Sequence, residues 1–296
     1  MNEKELILIP LTKDFMFKRV FSLNLNIFKK FLISVLRLDI NPKDVNIILE
    51  NVELTKSVRK EYRKTVDILV TLSNPKQDNN ISIDVEVNSS RFDDIKFRNV
   101  LYHEKISTTY VEEGSNLKNL SNYFFFQLNL NVHKFKDNVG EKIFSYREVI
   151  TNEELTPNLK IIHKSLDYYY ELYYTSGKNV SEDVIWLSLL SAKTFEELNE
   201  MSGLIMSKKE KENFVRSAKE ASRDKLILSE WESDKLADMV EHITIENAKK
   251  EEKEQNTNEI IKSMLKKNIS IEDVSEITGK TIDEIKNIEN ELNTSE

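Results

Sequence analysis

The stretch Thr65 to Asn88, TVDILVTL-SNPKQDNN-ISIDVEVN, decides the fold. In its first eight residues Val66, Ile68, Val70 and Leu72 face one way and Thr65, Asp67, Leu69 and Thr71 the other, as side chains do along a strand. Ser73 to Asn80 is dense in turn-forming residues. Ile81 to Asn88 alternates strictly, with Ile81, Ile83, Val85 and Val87 on one side and Ser82, Asp84, Glu86 and Asn88 on the other. The stretch reads as an antiparallel hairpin with an apolar face and an acidic face.

Toward the N-terminus, Thr12 to about Leu38 carries apolar residues at helical spacing, with Thr12 as N-cap and Asp39, Asn41 and Pro42 as the stop. Val45 to Leu54 reads as a strand, and Lys56 to Lys64 is a basic stretch leading into the hairpin. Beyond the hairpin, Phe92 to about Glu113 reads as a helix with an apolar stripe of Phe97, Val100, Leu101, Ile106 and Tyr110, and Gly114 as its C-cap. Asn122 to Leu130 is a strand apolar enough to be central, and Phe144 to Ile150 and Leu159 to Leu166 are further strand candidates. This order implies an α/β fold, a mixed central sheet flanked by helices. From about Ser181 the chain reads as helical. Residues 207–256 are charge-rich and expected in long exposed helices, and Ser270 to Asp273 and Thr281 to Glu284 are capping-box starts separated by Gly279. The expected division is a core over 1–175, a helical extension over 176–256 and a small helical tail over 257–296.

The 296 residues permit a substantial buried core. The 5 glycines and 4 prolines suit long helices better than an all-β sandwich. With no cysteine, disulfides, thiolate zinc sites and cysteine nucleophiles are excluded, and a reducing cytoplasm is the expected compartment. Met1 to Pro10 shows no signal-peptide pattern, and no segment approaches the roughly 18 apolar residues that span a bilayer, so no membrane partner is expected. A net charge of −8 argues against broad electrostatic wrapping of nucleic acid but leaves room for local basic contacts. His103, His133, His163 and His242 are scattered, with no HExxH, and there is no Walker A, GxGxxG or GxSxG sequence.

Chemistry concentrates on Asp67, Asp84, Glu86 and Asn88. Asp67 sits mid-strand, where Asp is disfavoured, and Glu86 lies between two valines of the next strand. Two neighbouring strands thus aim carboxylates at one side of a sheet, and close like charges resist joint ionisation unless a cation is shared. Mg²⁺, or Mn²⁺ in its place, accepts such oxygen ligands, polarises a phosphodiester and lowers the pKa of a bound water. The competing reading is that the acids mark the solvated face of a two-sided sheet.

Asp67 followed after a turn by Glu86-Val87-Asn88 resembles the PD-(D/E)XK nuclease core. More closely, the chain resembles the bacterial recombination-promoting nucleases, also labelled putative transposases. The resemblance rests on Thr12-Lys-Asp-Phe-Met-Phe-Lys-Arg-Val-Phe21, Lys64-Thr-Val-Asp67, Phe97-Arg98 with Tyr102, Gly114, Phe124 to Leu128, and a tail holding Met264-Leu265, Ile269-Ser270-Ile271 and Thr278-Gly279. It implies a restriction-endonuclease-like core and a Mg²⁺-dependent DNA endonuclease serving recombination or mobile elements. It also implies that Asp67 and Glu86 bind the metal with the Val87 carbonyl, and that Asp14 orders a water or a second ion. Asn88 stands at the motif's lysine, where it could orient the attacking water but supplies no charge. Asp84 is placed one pleat behind the metal.

Lys64, Arg98, Lys105 and Tyr102 are the candidate substrate contacts, Arg98 and Lys105 lying on one helix face. The last helix, Ile282 to Leu292, is acidic and unsuited to reading DNA, so the C-terminal helices are expected to serve as a cap or in homo-oligomerisation. The alternative to a nuclease is a catalytically inactive nuclease fold that binds DNA or another partner, and Asn88 is the residue that favours it.

Overall fold

The computed structural model describes residues 6–50, 68–74, 79–90, 92–109, 123–176 and 179–294. The chain forms two compact units, Met1–Leu228 and Ser229–Glu296. The first opens with helices α1 (Asp14–Ser22) and α2 (Leu25–Val35), then strands β1 (Asn46–Glu50), β2 (Ile68–Asn74) and β3 (Asn79–Asn88). Helix α3 (Phe92–Thr109) leads to β4 (Tyr123–Asn131), β5 (Glu141–Ser145) and β6 (Leu159–Ser165). Helices α4 (Leu166–Thr175), α5 (Glu182–Leu190), α6 (Phe195–Ile205) and α7 (Lys208–Ala221) follow.

The strands form one open sheet of order β1-β2-β3-β4-β6-β5. β1, β2 and β3 run antiparallel as the hairpin alternation predicts, β3, β4 and β6 run parallel, and β5 is antiparallel to β6. The architecture is therefore α/β, a mixed sheet flanked by helices. No helix among the described residues is long and apolar enough to cross a membrane.

The helix expected over Thr12 to Leu38 is two helices, starting from Lys13 as N-cap in place of Thr12. Asn24 makes the break. Its backbone leaves the helical region and its side-chain amide donates to the Val20 carbonyl at 2.7 Å and to Ser217 at 3.0 Å, the local competition through which Asn interrupts helices. The turn lets both helices direct aromatics into one core. Phe17, Phe21, Phe28 and Phe31 are wholly buried with ring centroids 4.6–6.2 Å apart, and the cluster extends to Phe214 and Trp186. This cluster covers the sheet face of Val70, Ile83, Val85, Leu128 and Leu130, all fully buried.

The strand expected over Phe144 to Ile150 lies earlier, at Glu141–Ser145. Glu148 folds the following residues into a turn by accepting from the Ile150 and Thr151 amides, which leaves Val149 and Ile150 almost fully exposed. At the edge of the apolar face, buried Lys164 pairs with Glu141, which also holds Arg37 at 3.0 Å; Arg37 bonds Asp183 in turn at 2.9 Å.

Helix α8 (Lys225–Lys266) supplies most of the second unit, with α9 (Ile271–Thr278) and α10 (Ile282–Thr294). The capping expectations hold here. The Ser270 hydroxyl accepts from the Asp273 amide, Thr281 and Glu284 bond reciprocally, and Gly279 ends α9 at φ 67°. Ile261, Val274, Ile285 and Ile288 form a small core of their own.

A buried polar field under helix α3

Register determines which side chains meet. The antiparallel pairing sets Leu69 beside Asp84 and Thr71 beside Ser82. The parallel pairing sets Asp84 beside Gln127, Glu86 beside Asn129, Asn88 beside Asn131, and Asn129 beside His163. Residues side by side in a ladder share a face. Hence Ser82, Asp84, Glu86, Asn88, Gln127, Asn129, Asn131 and His163 form one polar field, and all eight are buried. The solvated-sheet reading of this face is thereby overturned, because a helix covers it.

That helix is α3. Its Arg98 donates from Nη2 to Asn88 Oδ1 at 2.5 Å and stands 3.9 Å from Glu86 Oε2. One turn on, the His103 ring lies 4.9 Å from Phe125, and at the helix start Phe92 lies 4.9 Å from His163. The helix thus runs antiparallel to β4 across the field. Its expected apolar stripe is reversed. Phe97, Val100 and Leu101 are exposed, and Ile95, Asn99 and His103 face the sheet. The surface beneath α3 is polar, so matching groups turn inward and the apolar ones are left outside. The Ile106 side chain and Tyr110 lie outside the described residues.

Burial sets the electrostatics. His103 and His163 are pushed down to about 4 by desolvation, with Lys142 adding to the effect at His163, so both rings are neutral near pH 7. His163 Nδ1 and the Asn131 amide are 3.2 Å apart, and Asn88 Nδ2 donates to Asn129 Oδ1 at 3.3 Å. The side-chain polar atoms of Asn99, His103 and Gln127 are buried without a hydrogen-bond partner among the described residues. Each such group costs about 1–3 kcal/mol, a cost that core packing alone does not require.

Of the residues expected at the site, Glu86, Asn88 and Arg98 come together directly. Asp67 and Lys64 lie outside the described residues. Tyr102 is half-buried with Arg98 5.8 Å from its ring centre, whereas Lys105 is exposed. Asp14 begins α1 and accepts from the Lys18 ammonium at 2.8 Å. Val87 is on the opposite side of the strand from Glu86 and pairs with Leu130. Asp84 stands two residues behind Glu86 on the same face, as expected, and is fully buried.

Glu86 offers carboxylate oxygens of the kind Mg²⁺ takes, whereas the amide oxygens of Asn88 and Asn129 already accept from Arg98 and from Asn88. Among the described residues no three His, Asp or Glu side chains gather into a metal-binding group. Sequence reasoning missed Gln127, Asn129, Asn131, Asn99 and His103. The signal existed in β4, YFFFQLNLN, whose polar residues alternate with Phe126, Leu128 and Leu130. Comparison with family models, curated proteins and solved structures finds no match for this chain.

Proposed function

We propose that the chain is a Mg²⁺-dependent DNA endonuclease on a restriction-endonuclease-like core, in the PD-(D/E)XK superfamily and close to the recombination-promoting nucleases. The observation that supports this best is the buried Glu86 carboxylate, ranked beside Asn129 and 3.9 Å from the Arg98 guanidinium. A carboxylate is not kept in a sheet interior without a partner charge or ion.

On this reading Asp67, outside the described residues, is the second carboxylate beside Glu86 that the resemblance implies. Glu86 and Asp67 would hold the cation. The ion supplies Lewis-acid polarisation of the phosphodiester and a water of lowered pKa. Arg98 restores the positive charge that Asn88 lacks as a replacement for the motif lysine, positioned where negative charge develops on the phosphate. Helix α3 keeps bulk water from these groups and so strengthens their electrostatics.

Plasmid nicking tests this. Purified protein with Mg²⁺ or Mn²⁺ is expected to relax supercoiled DNA. Glu86→Ala and Asp67→Ala are expected to abolish nicking, and Arg98→Ala to slow it by about 100-fold or more, the usual scale for removing a charge-stabilising donor. Nicking unaffected by Glu86→Ala would sink the reading. One observation favours the inactive-fold alternative. Both ends of the Asn88 amide are engaged, by Arg98 and by Asn129, leaving it less free to orient a water. DNA binding without cleavage across metals and salt concentrations would support that alternative.

A further inference from the structure

A cleft of about 500 Å³ opens beside the carboxyl ends of β3 and β4, formed by the start of α3, the loop after β4 and the start of β5. Ligands of open α/β sheets bind in crevices at this end of the parallel strands. The cleft has aromatic rings and lysines in its wall, and Phe144 adjoins it through Phe92. Phe92 lies in its wall and stacks on Phe144, with the rings 13° from parallel and 6.1 Å apart; Phe144 is half-exposed. Three lysines, Lys134, Lys136 and Lys142, line the same space. Lys142 Nζ lies 5.8 Å from the Phe92 ring centre and 5.4 Å from that of Phe135.

The lysines are held by carboxylates, Lys134 by Glu171, Lys136 by Asp93 at 2.5 Å, and Lys142 by Asp137. The Lys134 and Lys136 side chains are exposed, Lys136 to 85%, whereas Lys142 is mostly covered. Exposed pairs contribute little and exchange readily, so Lys134 and Lys136 can turn to a phosphate when one arrives. The cleft also connects to the polar field. Phe92 packs on His163, His163 pairs with Asn129, and Asn129 pairs with Glu86. Two interstrand steps separate His163 from Glu86, roughly 10 Å.

We propose that this cleft binds single-stranded DNA, with a base stacked on the exposed ring of Phe144 and the flanking phosphates on Lys134 and Lys136. An aromatic platform bordered by lysines recognises a splayed strand, whose bases offer free π-faces, and does not recognise a duplex, whose bases are stacked inside. The proposal rests on the polynucleotide-processing reading above and deepens it. It makes a locally unpaired strand the form of DNA delivered toward Glu86, and it puts the contacts on β4–β5 residues in place of Lys64 and Lys105.

Fluorescence anisotropy with a labelled oligothymidylate of about 15 nucleotides, in EDTA so that nothing is cut, tests the proposal on the full chain. Wild type is expected to bind the single strand at least tenfold more tightly than a duplex of the same length. Phe144→Ala is expected to weaken binding about tenfold, the scale of a single base–aromatic stack. Lys134→Glu with Lys136→Glu is expected to lower the salt slope by about 0.7 for each phosphate that is no longer neutralised. Far-ultraviolet circular dichroism and thermal melting would check that these surface variants fold as wild type does. No binding by wild type, equal affinity for duplex, or folded variants that bind as wild type would each overturn the cleft. The two readings fail separately. Cleft-dependent binding without plasmid nicking defeats only the nuclease, and Glu86-dependent nicking with unaltered binding by the cleft variants defeats only the cleft.

Discussion

Ile83, Val85 and Leu128 on one face of the sheet and Asp84, Glu86 and Asn129 on the other are buried to nearly the same extent. The means differ. The apolar face is filled by the phenylalanine cluster of α1 and α2, where burial is favourable wherever shapes match. The opposite face is filled by amides, carboxylates and imidazoles under α3, where each group must find a partner or cost stability. One sheet therefore separates two tasks. The apolar side holds the fold together, and the polar side keeps polar and charged groups in a low-dielectric space at a cost the apolar side must offset.

The largest expected effect breaks the comparison on its apolar side. Phe21 is fully buried and touches Phe17, Phe28, Phe31 and Phe214. Phe21→Ala should destabilise the first unit by about 3–5 kcal/mol, read as a lowered urea midpoint. A loss below about 1 kcal/mol would show that this cluster is not the stabilising face.

The next effect tests the polar side through pH. His103 titrates near 4 in the folded chain because burial disfavours its cation, whereas an unfolded histidine keeps its ordinary value near 6.5. As pH falls below 6.5 the unfolded state takes up the proton first. The contribution is therefore intact above 6.5 and is lost progressively as pH approaches 4. Between pH 7 and 5 this one group should cost about 2 kcal/mol. His103→Phe should remove that part of the pH dependence, and urea unfolding at the two pH values checks it. An unchanged difference between them would mean that the ring is not kept neutral by burial.

The smallest effect sharpens the contrast. Gln127 is fully buried and its amide has no partner among the described residues. Gln127→Leu should leave stability unchanged or raise it by up to about 1 kcal/mol, since replacing an unsatisfied polar group with an apolar one of similar size removes a desolvation cost. A loss above about 2 kcal/mol in a thermal melt would show that the amide is bonded in solution.

Strand alternation alone placed Ser82, Asp84, Glu86 and Asn88 on one face and set the β2–β3 hairpin, because a period of two leaves only one assignment of sides. The tail helices were equally legible, since Ser270, Thr281 and Gly279 act through their own backbone neighbourhood. The break at Asn24 was not legible, because it depends on Ser217 as well as on Val20. Nor was the orientation of α3. Phe97, Val100 and Leu101 form a valid apolar stripe by spacing, and only the polar surface of β3 and β4 beneath the helix turns Asn99 and His103 inward.

What the sequence by itself determined was the local pattern: strands, caps, and a strand with Ser82, Asp84, Glu86 and Asn88 on one face. What only the tertiary structure decided was the company these residues keep. The parallel register brought Gln127, Asn129 and His163 beside the acids, and α3 brought Arg98 to within 3.9 Å of Glu86. The physical reason is range. Periodicity and capping act within a few residues, whereas burial and charge pairing depend on elements distant in the chain, and no short window of sequence records what will lie above a strand.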